Sequence, residues 1–150
     1  VNIQIASCEE QDLEEIFYLE NLVFGHEGYS FLVLRQFYDV CGELFVVAKN
    51  PESKIVAYTI GCPKINTLDS WILALAVAPS YRNQGIARKL TSYLLSYFRQ
   101  MKMNYVFLTV NPHNTIAINL YLSLDFKLIA SKANYFGNNS PRNIMRKDLF

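Results

Sequence analysis

The sequence is short of most features that mark specialised protein classes. Its three cysteines, Cys8, Cys41 and Cys62, are far apart, odd in number and without C-x-x-C spacing, which argues against a disulfide framework or a zinc site and fits free thiols in a reducing cytosol. Net charge is nearly absent: 14 Lys and Arg stand against 13 Asp and Glu, leaving +1. That balance supplies no field to gather nucleic acid or an anionic membrane. Long apolar runs are missing too. The longest, Trp71 to Ala78, is too short to cross a bilayer, and the N-terminus lacks the charged-then-apolar order of a secretory signal. No repeat or low-complexity tract occurs. These absences predict a cytoplasmic protein with no direct nucleic-acid partner and no membrane partner.

What is present is an apolar fraction of 51% with 14% aromatic residues over 150 positions. This is enough to bury one substantial core and too little for a second independent one, so a single domain over 1–150 is expected.

The chain alternates cleanly between strand and helix patterns. Asn2 to Ala6 reads as a strand, and Asp12 to Phe24 as an amphipathic helix of Leu13, Ile16, Phe17 and Leu19 with flanking acids. Gly25-His-Glu-Gly28 interrupts it, Ser30 can cap a second helix, and Gly42 stops that one. Glu43–Lys49 and Lys54–Cys62 form a hairpin around Asn50-Pro-Glu-Ser53. Asp69 to Val77 is apolar on both alternating faces, as in a central strand. A long helix follows from Ile86, then a strand over Tyr105–Val110, a short helix over Asn114–Leu124, and strands over Phe126–Phe136 and Asn143–Leu149. The order predicts an α/β (α+β) fold, a mixed sheet with helices on both faces.

The informative segment is Ala76-Val-Ala-Pro-Ser-Tyr-Arg-Asn-Gln-Gly-Ile-Ala-Arg88, where a central strand turns directly into the long helix. First-turn amides of a helix have no intrahelical partner and sit at the positive end of its dipole, so such a turn holds a diphosphate through main chain alone. Gly85 lets backbone approach phosphate oxygens, Ala87 leaves the next turn unobstructed, and Arg82 and Arg88 can add charge-assisted contacts. Alone, R-x-x-G-x-A reads more readily as a helix start with a convenient glycine than as a binding site. A second signature, Asn114-Thr-Ile-Ala-Ile-Asn-Leu-Tyr121 followed by Leu124-Asp-Phe126, lies downstream.

Together these segments resemble the GNAT acetyltransferase superfamily, and within it the ribosomal-protein alanine and related N-terminal acetyltransferases, over nearly the whole chain. The resemblance implies a mostly antiparallel sheet of about seven strands with about four helices, and acetyl-CoA as co-substrate with no metal. It implies that Leu75, Ala76 and Val77 line the pantetheine arm, that Arg82, Asn83, Gln84, Gly85, Ile86, Ala87 and Arg88 hold the diphosphate, and that Asn114 bonds the arm further along. Two helical turns separate Asn114 from Tyr121, which predicts that both face one cleft. Tyr121 is then the phenol that protonates the departing thiolate, the alternative being a core tyrosine.

The pattern departs from the family at the general base. The resembled bacterial enzymes carry a glutamate where this chain has Thr109, and related archaeal enzymes carry E-x-Y after the first helix, matched here by Glu27-Gly-Tyr29. Glu27 is the substitute candidate, the alternative being a solvated loop carboxylate; His26 and His113 are minor candidates for a proton relay. Neutralising an α-amino group of pKa ~7.8 at pH 7 costs about 1 kcal/mol, against about 4 to 5 for a lysine near ~10.4. A missing base therefore favours N-terminal amines. Phe24, Tyr29 and Tyr135 are the candidate walls for the acceptor.

The leading expectation is acetyl transfer to a protein or peptide N-terminus, a ribosomal protein among the possible acceptors, by direct attack in a ternary complex. No cysteine has surroundings that would make it a nucleophile. Two alternatives stand beside it, acetylation of a small amine and a non-catalytic acetyl-CoA-binding module. The oligomeric state is a monomer or homodimer.

Overall fold

The computed structural model describes residues 2–150. Its elements are β1 (Gln4–Ser7), α1 (Leu13–Phe24), α2 (Phe31–Cys41), β2 (Phe45–Lys49), β3 (Ile55–Pro63), β4 (Asp69–Val77), α3 (Ile86–Gln100), β5 (Tyr105–Val110), α4 (Thr115–Ser123), β6 (Lys127–Lys132) and β7 (Arg142–Asp148). The strands form a seven-stranded sheet in the order β1-β2-β3-β4-β5-β7-β6. The pairs β1–β2, β2–β3, β5–β7 and β6–β7 are antiparallel. The β4–β5 pair is parallel, which requires a long crossover, supplied by α3. The mixed sheet with four helices is the fold expected from the sequence.

Contacts divide the chain into two compact units, one running to Cys62 and including Ala74–Tyr97, the other made of Pro63–Leu73 and Phe98–Phe150. In the first, α1 turns Leu13, Ile16 and Leu19 inward. Ser30 caps α2 by accepting from the Val33 amide at 3.3 Å, and Gly42 ends it at φ 60°. Ile16, Leu34, Phe45, Val46, Tyr58, Leu90 and Leu94 are sealed from solvent, and Phe45 stacks on Tyr58 at 5.9 Å. The β2–β3 turn folds as its composition predicts: Asn50 Oδ1 accepts from Glu52 N at 3.1 Å and Lys54 N at 2.9 Å, an Asx turn with Ser53 at φ 64°.

In the second unit, Phe98, Val106, Leu108, Phe126 and Met145 form the buried set. The Lys147 stem is also buried, and its ammonium donates to the Leu124 carbonyl at 2.9 Å, which satisfies the charge where α4 ends.

Most boundaries shift from expectation by a residue or two, as at β2 (Phe45–Lys49), β3 (Ile55–Pro63) and β7 (Arg142–Asp148). The first strand is Gln4–Ser7 rather than Asn2–Ala6. The strand expected over Phe126–Phe136 stops at Lys132, because the following loop closes on itself: Asn134 Oδ1 accepts from Asn139 N at 2.7 Å, Tyr135 N donates to Ser140 O at 2.9 Å, and Gly137, Asn138 and Asn139 all have positive φ.

Candidate active site

The turn between β4 and α3 has the properties of an anion cradle. Ala78 N donates to Val56 O at 2.8 Å, tying the turn to β3, and Pro79–Tyr81 form a 3-10 turn. The Tyr81 hydroxyl accepts from Asn50 Nδ2 at 3.0 Å. Asn83 at φ 62° and Gly85 at φ 79° then reverse the chain into the helix. The first helical bond at this end is Lys89 N to Gly85 O at 3.0 Å. Among the described residues, no amide from Asn83 to Ala87 donates to an acceptor of the chain. Unpaired donors persist at a helix start because they face solvent or a ligand. Asn83, Gln84 and Gly85 are exposed, and the space a Gly85 Cβ would occupy is open. All ten acids of the first unit lie between Glu9 and Glu52, whereas Ala74–Tyr97 carries Arg82, Arg88 and Lys89 and no acid. Negative charge is thus kept out of the segment that presents the amides.

The Arg82 Nε donates to Val77 O at 3.2 Å, so part of the guanidinium braces the end of β4. Leu75 and Val77 are half-buried and Ala76 is buried. The ladder to β5 spans Asp69–Trp71, and β4 continues beyond it to Val77.

The end of α1 and the segment after it hold four candidates together. Phe24 closes the helix at 40% exposure. Glu27 and His26 lie exposed on the 3-10 turn Gly25–Glu27. Tyr29 is half-buried with its ring edge-on to Phe37 at 5.2 Å.

Sequence reading passed over Glu20, taking it as one of the helix's flanking acids. The residue is 2% exposed. Oε1 accepts from the Tyr58 hydroxyl and Oε2 from the Tyr29 amide at 2.9 Å. Burial raises its pKa above the ordinary carboxylate value, opposed by these two donors.

In the second unit Tyr121 is buried at 6% exposure, its ring tilted on Phe126 at 5.6 Å. Desolvation pushes its pKa up to about 12, keeping the phenol protonated and able to donate. Asn114 is exposed and caps α4, its Oδ1 accepting from Ala117 N at 3.2 Å. Thr109 sits half-buried in β5 and His113 is exposed. Tyr135 lies half-buried in the β6–β7 loop, edge-on to Phe136 at 4.8 Å.

The cysteines are not poised as nucleophiles. Burial, with Asp12 nearby, pushes the Cys8 thiol up to about 12, and burial beside the Cys62 thiol raises that of Cys41. No helix among the described residues is long and apolar enough to cross a membrane.

The turn into α3 thus has the donors of a main-chain anion site. Residues 10–126 match the model of the acetyltransferase (GNAT) family, and the chain belongs to that family. It is similar to the [ribosomal protein bS18]-alanine N-acetyltransferase of Haemophilus ducreyi, with 32% identity over 142 residues, 88% of each chain. It is also similar to N-alpha-acetyltransferase 30 of Saccharomyces cerevisiae, with 30% identity over 75% of this chain and 68% of the relative. Its fold is that of the solved Ard1 from Thermoplasma volcanium, TM-score 0.91 at 24% identity, covering 100% and 99% of the two chains.

Proposed function

We propose that this acetyltransferase moves the acetyl group of acetyl-CoA to the N-terminal α-amino group of a protein or peptide, by direct attack in a ternary complex. The observation that carries the reading is the run of unpaired amides from Asn83 to Ala87 at the start of α3, on a segment stripped of acids. These donors match a diphosphate, and the side chains of Arg82 and Arg88 add charge around it. The main chain of Leu75, Ala76 and Val77 lines the pantetheine arm, and the Asn114 side-chain amide bonds it further along. Acetyl-CoA supplies an activated thioester whose sulfur departs as a thiolate.

Tyr121 donates to that sulfur. With a phenol near 12 and an ordinary thiol near ~8.5, full proton transfer is uphill by about 5 kcal/mol. Its contribution is therefore a hydrogen bond that strengthens as negative charge develops. Glu27, exposed beside the acceptor segment, takes the ammonium proton, a light task for an α-amino group. Phe24, Tyr29 and Tyr135 flank the acceptor backbone. The two relatives named for N-alpha and alanine N-acetylation support the acceptor class, and a ribosomal protein is the first acceptor to try.

Calorimetric titration with acetyl-CoA, followed by a coenzyme A release screen over peptides that vary the first two residues, tests the reading. Micromolar binding and release with a subset of peptides are expected. Absence of binding overturns it; binding and thermal stabilisation without release for any amine leaves a ligand-binding module instead.

A further inference from the structure

A carboxylate sealed from solvent with no cationic partner is costly, and it persists where its acceptors are used. Glu20 lies on the buried face of α1, and both its oxygens are used by partners remote in sequence. Tyr58, fully buried in β3, donates to one. The other receives the Tyr29 amide, so the carboxylate joins the sheet, the helix and the segment that follows the helix into one hydrogen-bonded unit.

Gly28 shows how closely the segment is drawn in. Its φ of −72° is open to any residue, so conformational freedom is not its role. A Cβ there would stand 3.0 Å from Glu20 Cγ and 3.3 Å from the carbonyl oxygens of Glu20 and Gly25, tight enough that these neighbours would have to give by a few tenths of an ångström. The glycine is what lets Glu20 reach over the chain to the next amide. Tyr29 is then fixed at both ends, its amide on Glu20 and its ring against Phe37, and Ser30 starts α2 immediately after.

We infer that Glu20 is the positioning residue of the acceptor segment: through the Tyr29 amide, with Tyr58 steadying the carboxylate and Gly28 clearing its path, it sets where Phe24, Glu27 and Tyr29 stand. The inference rests on the proposed acceptor role of that segment. A side chain merely filling the core holds no specific amide, whereas this one is predicted to control acceptor binding and leave the cofactor alone. Glu20 touches neither substrate, and its effect is relayed by a single main-chain bond.

Amide hydrogen exchange and two-substrate kinetics on Glu20→Gln, Gly28→Ala and Tyr58→Phe test this. In Glu20→Gln, exchange at the Tyr29 amide accelerates by about ten-fold while β2 and β3 amides stay within about two-fold, the signature of losing one hydrogen bond in a local opening. With an active acceptor peptide, acceptor KM rises by about ten-fold and acetyl-CoA KM stays within about two-fold. Gly28→Ala reproduces the pattern, and Tyr58→Phe gives a smaller version because the carboxylate still accepts from Tyr29. If Glu20→Gln does not fold, the other two variants decide. Unchanged Tyr29 exchange in folded variants, or equal rises in both KM values, overturns the inference. Exchange needs no substrate, so a protein that acetylates no peptide sinks the functional proposal while the Tyr29 amide still reports on Glu20.

Discussion

The two compact units of this chain present their chemistry in opposite ways. In the first, the candidate anion site is made of main chain, its donors being the amides of Asn83 to Ala87, which any residue but proline would supply. In the second, the candidate donor is one phenol, Tyr121, whose ring is buried on Phe126. Charge divides as well: the first unit holds ten acids and six bases, the second three acids and eight bases. A near-neutral whole therefore conceals two oppositely charged parts. Binding held by backbone answers to φ, ψ and helix position, and catalysis held by a side chain answers to identity.

Substitutions can break that contrast. The largest expected effect is from Tyr121→Phe, which keeps the packing and removes the donor: kcat falls by about a hundred-fold with acetyl-CoA affinity unchanged, read by steady-state kinetics and calorimetry. Unchanged kcat returns Tyr121 to a packing role. Next is Gly85→Val, which forces a β-branched residue to φ 79° and fills the approach to the cradle; acetyl-CoA KM rises by more than about ten-fold, whereas Gln84→Ala, which alters no main-chain donor, changes it by less than about two-fold. Sensitivity at Gln84 comparable to that at Gly85 would show side chains, not amides, holding the cofactor. Glu27→Gln is milder, because the amine is nearly self-sufficient: kcat/KM falls by about three- to five-fold at pH 7, and the deficit closes by about pH 9, where the amine of pKa ~7.8 is neutral without help.

The smallest effect concerns stability. The buried Glu20 carboxyl keeps its proton to higher pH than it does unfolded. As pH rises through the interval between the two values, the unfolded chain ionises first, so stability is higher below the unfolded value and falls until the folded group ionises. Urea unfolding across mildly acid pH should show this decline in wild type and a flatter profile in Glu20→Gln.

Elements set by local chemistry were readable from the sequence to the residue. β4 and β5 fall on Asp69–Val77 and Tyr105–Val110 as expected, α3 starts at Ile86, and Ser30 caps α2, because burial on both faces, a helical apolar stripe and a cap each leave a mark within a few positions. Features closed by distant partners were not. The strand read through to Phe136 ends at Lys132 because Asn134 captures the Asn139 amide. Glu20 looked like any acid on an amphipathic helix, and only the arrival of Tyr58, from 38 positions away, separates it from a solvated one. The cradle was legible because its anatomy lies within a dozen consecutive residues; Asn114 was half-legible, since one motif position serves both as helix cap and as expected ligand contact.

Main-chain donors are common property. A compound that mimics a diphosphate would meet the same peptide groups wherever a relative keeps this strand, turn and helix, and would distinguish poorly among them. Selectivity for this enzyme should instead come from groups reaching the stretch around Phe24, Gly28 and Tyr29, whose shape depends on a glutamate, a tyrosine and a glycine meeting at one place.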